Sequence, residues 1–538
     1  MPTVNQNDLK IQNTINLIDT LRNDGNNYLF IGRPTEWDTD VSVPMYLRNN
    51  TGDTKSKVPE NNYRDFYRTW DQIISFKKIV ANNVYPMILR VRWVSGITYD
   101  MYRHDYNTFN TSGTNSPNLY DSRFYVMNRS RDVFVCLANN NNLPSTVEPI
   151  AGVSNEPFYT SDGYQWLKLY NVPQDNYDEH KTNNYIPVVD NETTSLPAGA
   201  IYTIAVESRG TSYTPPSISH PYYFCKITGD GEGAVARITV QGGLIVDVRI
   251  ARSGSKYTFG RLNFKAKNVY ATLSDLDNGV NALNPGGDGG FASTVIISPP
   301  GGWGYTKVAQ TEEESLKSLY TLIRQLGATR VGVFSRLSFN ETDFTTDISF
   351  RQAGILQNLD SAQRRYFEDS NTNVIEDYFP DTLAGYQSVK VIEKQGSEII
   401  SYIPGEIITQ KRPDPVNPSI EYTSKATVVG WDDKNNIIKY IQDPNIHSDE
   451  LDGVMYPFSN NRIIRGTESK KETEPDIFYN LTIDTSDPVY NTINTKFVNG
   501  YSTPEVDRYD GNLIYLVNVS PVVRNNRQSE RISFVITY

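Results

Sequence analysis

A strand that is apolar on both faces has to lie inside a core, and residues 164–170 supply one. Tyr164, Trp166 and Tyr170 fall on one side of a two-residue period together with Lys168, while Leu167 and Leu169 fall on the other. The run follows Asp162-Gly163, a turn signal because glycine takes positive φ at no steric cost. Upstream, Phe124-Tyr-Val-Met-Asn128 and Val133-Phe-Val-Cys-Leu137 alternate on either side of Arg129-Ser-Arg-Asp132, which predicts a β-hairpin with a four-residue loop. The polar run from Asn139 to Asn142, then Ser145-Thr-Val-Glu-Pro149, separates hairpin and strand. Residues 123–172 are therefore expected to form a sheet around which other segments pack.

The chain has 538 residues, too many for one core, since single cores stop growing at roughly 250–300 residues. The hydrophobic fraction of 38% is modest, but 36 tyrosines and 21 phenylalanines suffice to build β-rich cores. No window approaches the ~18–20 apolar residues of a membrane-spanning helix. The first residues show neither a basic start nor an apolar run, so no secretory signal is expected and the chain is read as soluble and made in a cytoplasm. Net charge is −11, with no stripe of Lys or Arg to neutralise phosphates, which argues against a non-specific nucleic-acid binder. The short pairs Lys77-Lys78 and Lys470-Lys471 read as solvated surface. Cys136 and Cys225 each sit in a strand-like apolar run, and buried reduced thiols are expected rather than a disulfide.

Helical spacing predicts a first helix over residues 7–23, a second over 63–79 and a third over 311–327. The third carries a capping box at Thr311-Glu-Glu-Glu314 and a stop at Gly327. Strands are expected at 28–31, 85–94, 331–334 and 346–356, with a closing pair at 512–518 and 531–538. From Ile201 the texture changes. Gly210-Thr-Ser-Tyr-Thr214 and Gly254-Ser-Lys-Tyr-Thr258 place two Tyr-Thr pairs 44 residues apart, a two-copy β repeat. The glycines of Gly229-Asp-Gly-Glu-Gly233 open onto alternating Ala234, Ala236, Ile238 and Val240, so they read as a turn in a β module and not as a dinucleotide fingerprint. Residues 275–290 lack EF-hand spacing and read as a loop. Short alternating runs spaced by turns over 387–467 suggest a small barrel or sandwich, and 470–510 reads mostly as loop.

The expected fold class is mainly β with a few peripheral α-helices, a layered β-sandwich core carrying inserted β-barrel or sandwich-like modules. The corresponding division is a core over 1–195, an inserted β repeat over 196–270, core again over 271–386, an inserted barrel-like module over 387–470, and core-completing strands over 471–538.

Chemical signatures are sparse. His104, His180, His220 and His447 are scattered in loop-like contexts with no partner at metal or general-base spacing, and zincin, nucleophile-elbow and P-loop patterns are missing. Two carboxylates suffice for a glycosidase, and Glu148 and Asp162 would be the nominees. A loop acid beside Pro149 and a turn acid before Gly163 are the preferred readings. No enzyme, cofactor or metal is expected.

Several stretches, in order, resemble a baseplate wedge protein of contractile-tailed (T-even-like) bacteriophages. They are Phe30-Ile-Gly32-Arg33 with Trp37, the hairpin ending Val135-Cys-Leu137, Thr146-Val-Glu148-Pro149, Asp162-Gly163-Tyr164-Gln-Trp166, Phe350-Arg351-Gln352 with Ile355, and Gly511-Asn-Leu-Ile-Tyr515 to Tyr538. About half of the chain is covered. The best-known member of that family is much shorter, and the extra length here falls in the 201–270 repeat and the 387–467 island. The resemblance implies a non-catalytic homodimer that links other wedge proteins around the tail hub and rearranges when the tail contracts. It implies location in the virion baseplate, reached from the host cytoplasm, with neither nucleic acid nor membrane as partner. The alternative is a receptor- or carbohydrate-binding tail module, suggested by the aromatic loops 100–125 and 155–185 and by the β repeat.

Overall fold

The computed structural model describes residues 6–23, 26–35, 46–48, 54–56, 66–150, 156–190, 194–217, 221–305, 312–337, 348–359, 365–368, 374–378, 382–393, 401–482, 496–522 and 530–538. Strands take 42% of the chain against 13% for helices, so the fold is mainly β with few helices, as the residue patterns predict. Contacts divide the chain into two units. The first comprises Met1–Ile18, Tyr85–Gly332 and Val535–Tyr538; the second comprises Asp19–Val84 and Val333–Phe534.

In the first unit, the hairpin and the doubly apolar strand form one antiparallel sheet ordered Tyr125–Met127, Asp132–Asn139, Tyr164–Asn171, Phe158–Tyr159. Cys136 stands opposite Trp166, and the register shifts between Cys136 and Ala138. Trp166 is fully buried, stacked on Tyr164 at 5.4 Å and meeting Tyr99 edge-on at 6.0 Å. Strand Val84–Leu89 pairs with Tyr185–Pro187, and the strand expected to reach residue 94 ends at Leu89.

The segment from Ile201 forms an antiparallel pair, Ile201–Arg209 with Phe291–Ile297, and a sheet built on Tyr222–Gly229, Val235–Gln241 and Leu244–Arg252. Ile201, Ile204, Val295 and Ile297 share one core with Tyr223, Cys225, Ala236 and Ile238. The glycine run at 229–233 is the turn between two of these strands. Each Tyr-Thr copy has an aspartate bound to a threonine, but at different places: Thr211 lies two residues before Tyr213, whereas Thr258 directly follows Tyr257. Asp288 accepts from the Thr211 amide and hydroxyl, and Asp230 accepts from the Thr258 amide and hydroxyl. These bonds pull both carboxyls down to about 2. A glycine underlies each tyrosine ring, Gly287 under Tyr213 and Gly231 under Tyr257. Residues 275–290, expected as loop, begin with the helix Leu273–Asn278, because the Thr272 hydroxyl caps it and Gly279 ends it at φ 68.

In the second unit, an antiparallel sheet runs Thr382–Ala384, Ile73–Lys78, Tyr28–Gly32, Phe350–Gln357, Asn512–Val522. This overturns the helix expected over 63–79. Among the described residues of that span, Phe66–Asp71 is helical and the chain becomes a strand at Ile73. Helical spacing was present, but the segment opens on β-branched Ile73 and Ile74 and the strand Ile73–Lys78 gains two strand neighbours, and pairing outweighs a weak helical preference. Six strands close into a barrel: Gln387–Glu393, Ile407–Pro413, Glu421–Asp432, Ile437–Ile441, Ile464–Gly466 and Glu472–Pro475. Val389, Ile408, Val428, Ile438 and Ile464 fill it. Residues 470–510 were expected to be mostly loop, yet they contribute that sixth strand and the short strands Leu481–Thr482, Lys496–Phe497 and Tyr501–Ser502. Lys471, expected on the surface, is buried with its Nζ 4.7 Å from the Trp431 ring centre.

The helices Gln6–Asn23 and Glu312–Leu326 form where predicted, the first burying Ile11, Ile15, Ile18 and Leu21, the second Leu319, Leu322, Ile323 and Leu326. Thr311 lies outside the described residues.

Candidate functional site

The residues that carry the resemblance fall into two groups, one in each unit. In the second unit Gly32 stands opposite Gln352 across the sheet. Arg33, at φ 55, donates its amide to the Gln72 carbonyl at 2.9 Å and Nη1 to Gln72 Oε1 at 3.3 Å. A side chain at position 32 would press on the same carbonyl, which explains the glycine there. Gln72 donates in turn to buried Asp443. Arg351 Nη1 donates to the Pro34 carbonyl at 3.0 Å, Gln352 donates to Asn518 Oδ1 at 2.9 Å, and Phe350 is buried. Trp37 lies outside the described residues.

In the first unit Asp162 organises the second group. Its Oδ2 accepts from the amides of Thr146 and Val147 at 2.8 and 3.0 Å and from the Ser145 hydroxyl at 3.0 Å; Thr160 donates to Oδ1. Burial opposes the charge, but these donors outweigh it and hold the carboxyl below the ordinary carboxylate range. Glu148 accepts from the Arg129 amide at 2.8 Å, and Asn128 donates to the Pro149 carbonyl at 3.0 Å. Gly163, at φ 84, leaves room for the Asn140 side chain, whose Nδ2 donates to the Asp162 carbonyl at 2.9 Å. Tyr164 donates to the Leu143 carbonyl. Glu148 and Asp162 thus fix loops.

The histidines are dispersed. His180 and His447 end short helices, not loops; His104 accepts from the Ile297 amide at 3.4 Å; His220 lies outside the described residues. Among the described residues no three His, Cys, Asp or Glu gather as a metal site would require. Cys136 and Cys225 are buried and free, and burial pushes the Cys225 thiol up to about 12.

A polar cleft of about 280 Å³ opens in the first unit. The Asn139–Asn142 turn and Gly163 wall one side, Met101 to Gly113 another, and the strands Ile201–Arg209 and Leu244–Arg252 the floor. Arg103 forks onto Asp105 at 2.8 and 2.7 Å and reaches Glu207 at 3.0 Å; Arg249 pairs with Asp247 at 2.8 Å and lies 4.6 Å from the Tyr159 ring centre. Sequence reading flagged the asparagine run only as polar. Four consecutive asparagines after a strand were the available signal, since asparagine tolerates the left-handed region. Arg103, Arg209 and Arg249 gave no signal, because charged residues at strand ends and in loops look alike wherever they face.

No family model matches the chain, and no curated protein matches it either.

Proposed function

We propose that this chain is a structural component of a phage tail baseplate wedge, linking wedge subunits around the hub and rearranging when the tail contracts. The observation that carries the reading is that residues of the resemblance far apart in sequence are neighbours in space. Gly32 meets Gln352 within one sheet, and Asp162 binds the loop that leads to Glu148 and Pro149. The resemblance therefore marks two contiguous pieces of scaffold. Their polar side chains are engaged in fixing backbone, the work expected of a protein that acts through binding energy between subunits. The partners are a second copy of the chain and other wedge proteins. Sedimentation of the purified protein, alone and mixed with wedge proteins, tests this. A dimer that enters a wedge complex is expected; a strict monomer that never co-assembles overturns the reading.

A further inference from the structure

We propose that the polar cleft of the first unit binds a single acidic sugar residue, with a uronic-acid carboxylate on Arg209 and the apolar face of the pyranose ring against Tyr159. Three observations converge. The first is a preset backbone. Asn140, Asn141 and Asn142 hold φ 47, 58 and 62, three left-handed residues in succession. Asparagine tolerates this region, but a run of three keeps one shape only where its surroundings enforce it. Enforcement here is explicit: Asn139 Nδ2 donates to the Tyr99 carbonyl at 3.0 Å and to Asn142 Oδ1 at 2.7 Å, and Asn140 is tied to Asp162. The turn lines the cleft and needs no further ordering on binding.

The second is charge. Arg103 and Arg249 are neutralised in place by Asp105, Glu207 and Asp247. Among the described residues Arg209 has no acidic partner, so the cleft keeps one uncommitted guanidinium, whose fork suits a carboxylate. The third is the mixture of surfaces. Tyr159, 41% exposed, offers the aromatic surface that Arg249, 4.6 Å from the ring centre, leaves open, while Asp247, Glu207 and Asn141 offer the planar polar groups that hydroxyls need. The volume is near the low end of small-molecule pockets, roughly 300–1,000 Å³, which admits one sugar ring and not a long chain.

Titration calorimetry of the full chain with glucuronic acid, glucose and inorganic phosphate is the test. Glucuronic acid is expected to bind at least tenfold tighter than glucose, with phosphate giving no heat. Arg209→Ala is expected to abolish the difference between the two sugars, and Tyr159→Ala to weaken both about tenfold, with melting temperatures unchanged. No heat with either sugar, phosphate binding as tightly as glucuronic acid, or sugar binding that survives both substitutions would overturn the assignment. If Tyr159→Ala unfolds the protein, Tyr159→Phe, which keeps the ring, must retain binding.

Discussion

The backbone amide of Asp443 donates to His447 Nδ1 at 2.8 Å, so that nitrogen carries no proton and Nε2 is left to donate to Thr427 Oγ1 at 2.8 Å. Both residues are fully buried, and Asp443 also accepts from Gln72, the residue that anchors Arg33. The neutral imidazole is thus built into a buried network of the second unit.

Burial pulls the His447 pKa from 6.5 down to about 4, with Asp443 opposing the shift. The unfolded chain takes up a proton near 6.5 and the folded chain only near 4. Stability is therefore fully present above 6.5 and falls as pH drops from there towards 4, by on the order of 3 kcal/mol. Urea midpoints between pH 7.5 and 4 should show this loss. His447→Gln should be weaker at pH 7.5 and lack this component of the slope; parallel profiles for the two proteins would refute the assignment.

Lys439 is buried in the barrel wall, 5.5 Å from the Tyr386 ring centre, and burial lowers its pKa to about 8. The folded state releases this proton more readily than the unfolded state. Stability should therefore rise as pH climbs from 8 towards 10.5. Replacing Lys439 by Met keeps the stem and removes the charge, and is expected to stabilise the protein by about 2 kcal/mol at pH 7. A lower urea midpoint for Lys439→Met would show that the ammonium has a stronger partner than the ring.

Gly287 and Gly289 lie two residues apart, both at positive φ, yet only the first touches a ring. Gly289→Ala meets open space and should cost about 1 kcal/mol, the left-handed penalty alone. Gly287→Ala would also drive a methyl into Tyr213 and should cost about 3 kcal/mol or more. Equal melting temperatures for the two variants would contradict this packing.

Asp162→Ala strands three amides and two hydroxyls that now share its carboxylate, and is expected to cost about 3 kcal/mol. Because the carboxyl is held below its ordinary range, its contribution is present above about pH 4 and is lost as pH falls further. Hydrogen exchange should show faster opening at Thr146 and Val147 in the variant, and unchanged protection there would count against this role.

Local signals were enough for the hairpin, the strand beginning at Tyr164, the helix Gln6–Asn23 and the barrel, since each rests on a short-range period or on closely spaced turns. The segment from Ile73 to Lys78 misled because its apolar spacing suits both periods, and only its neighbours Tyr28–Gly32 and Thr382–Ala384 decide between them. Lys471 misled for a related reason: the aromatic ring that accepts it, Trp431, is 40 positions away. The cleft was illegible as a site because it is assembled from four separated segments, although its asparagine turn and its Gly163 were visible as isolated features and Tyr159 fell within the aromatic loop 155–185.

The most direct measurement of the proposed role is a density map of an intact contractile-tailed virion assembled with this chain. The account predicts the chain in the baseplate as paired copies within each of six wedges, contacting other wedge proteins. Finding it outside the baseplate, or as an isolated copy at a fibre tip facing the host surface, would contradict it.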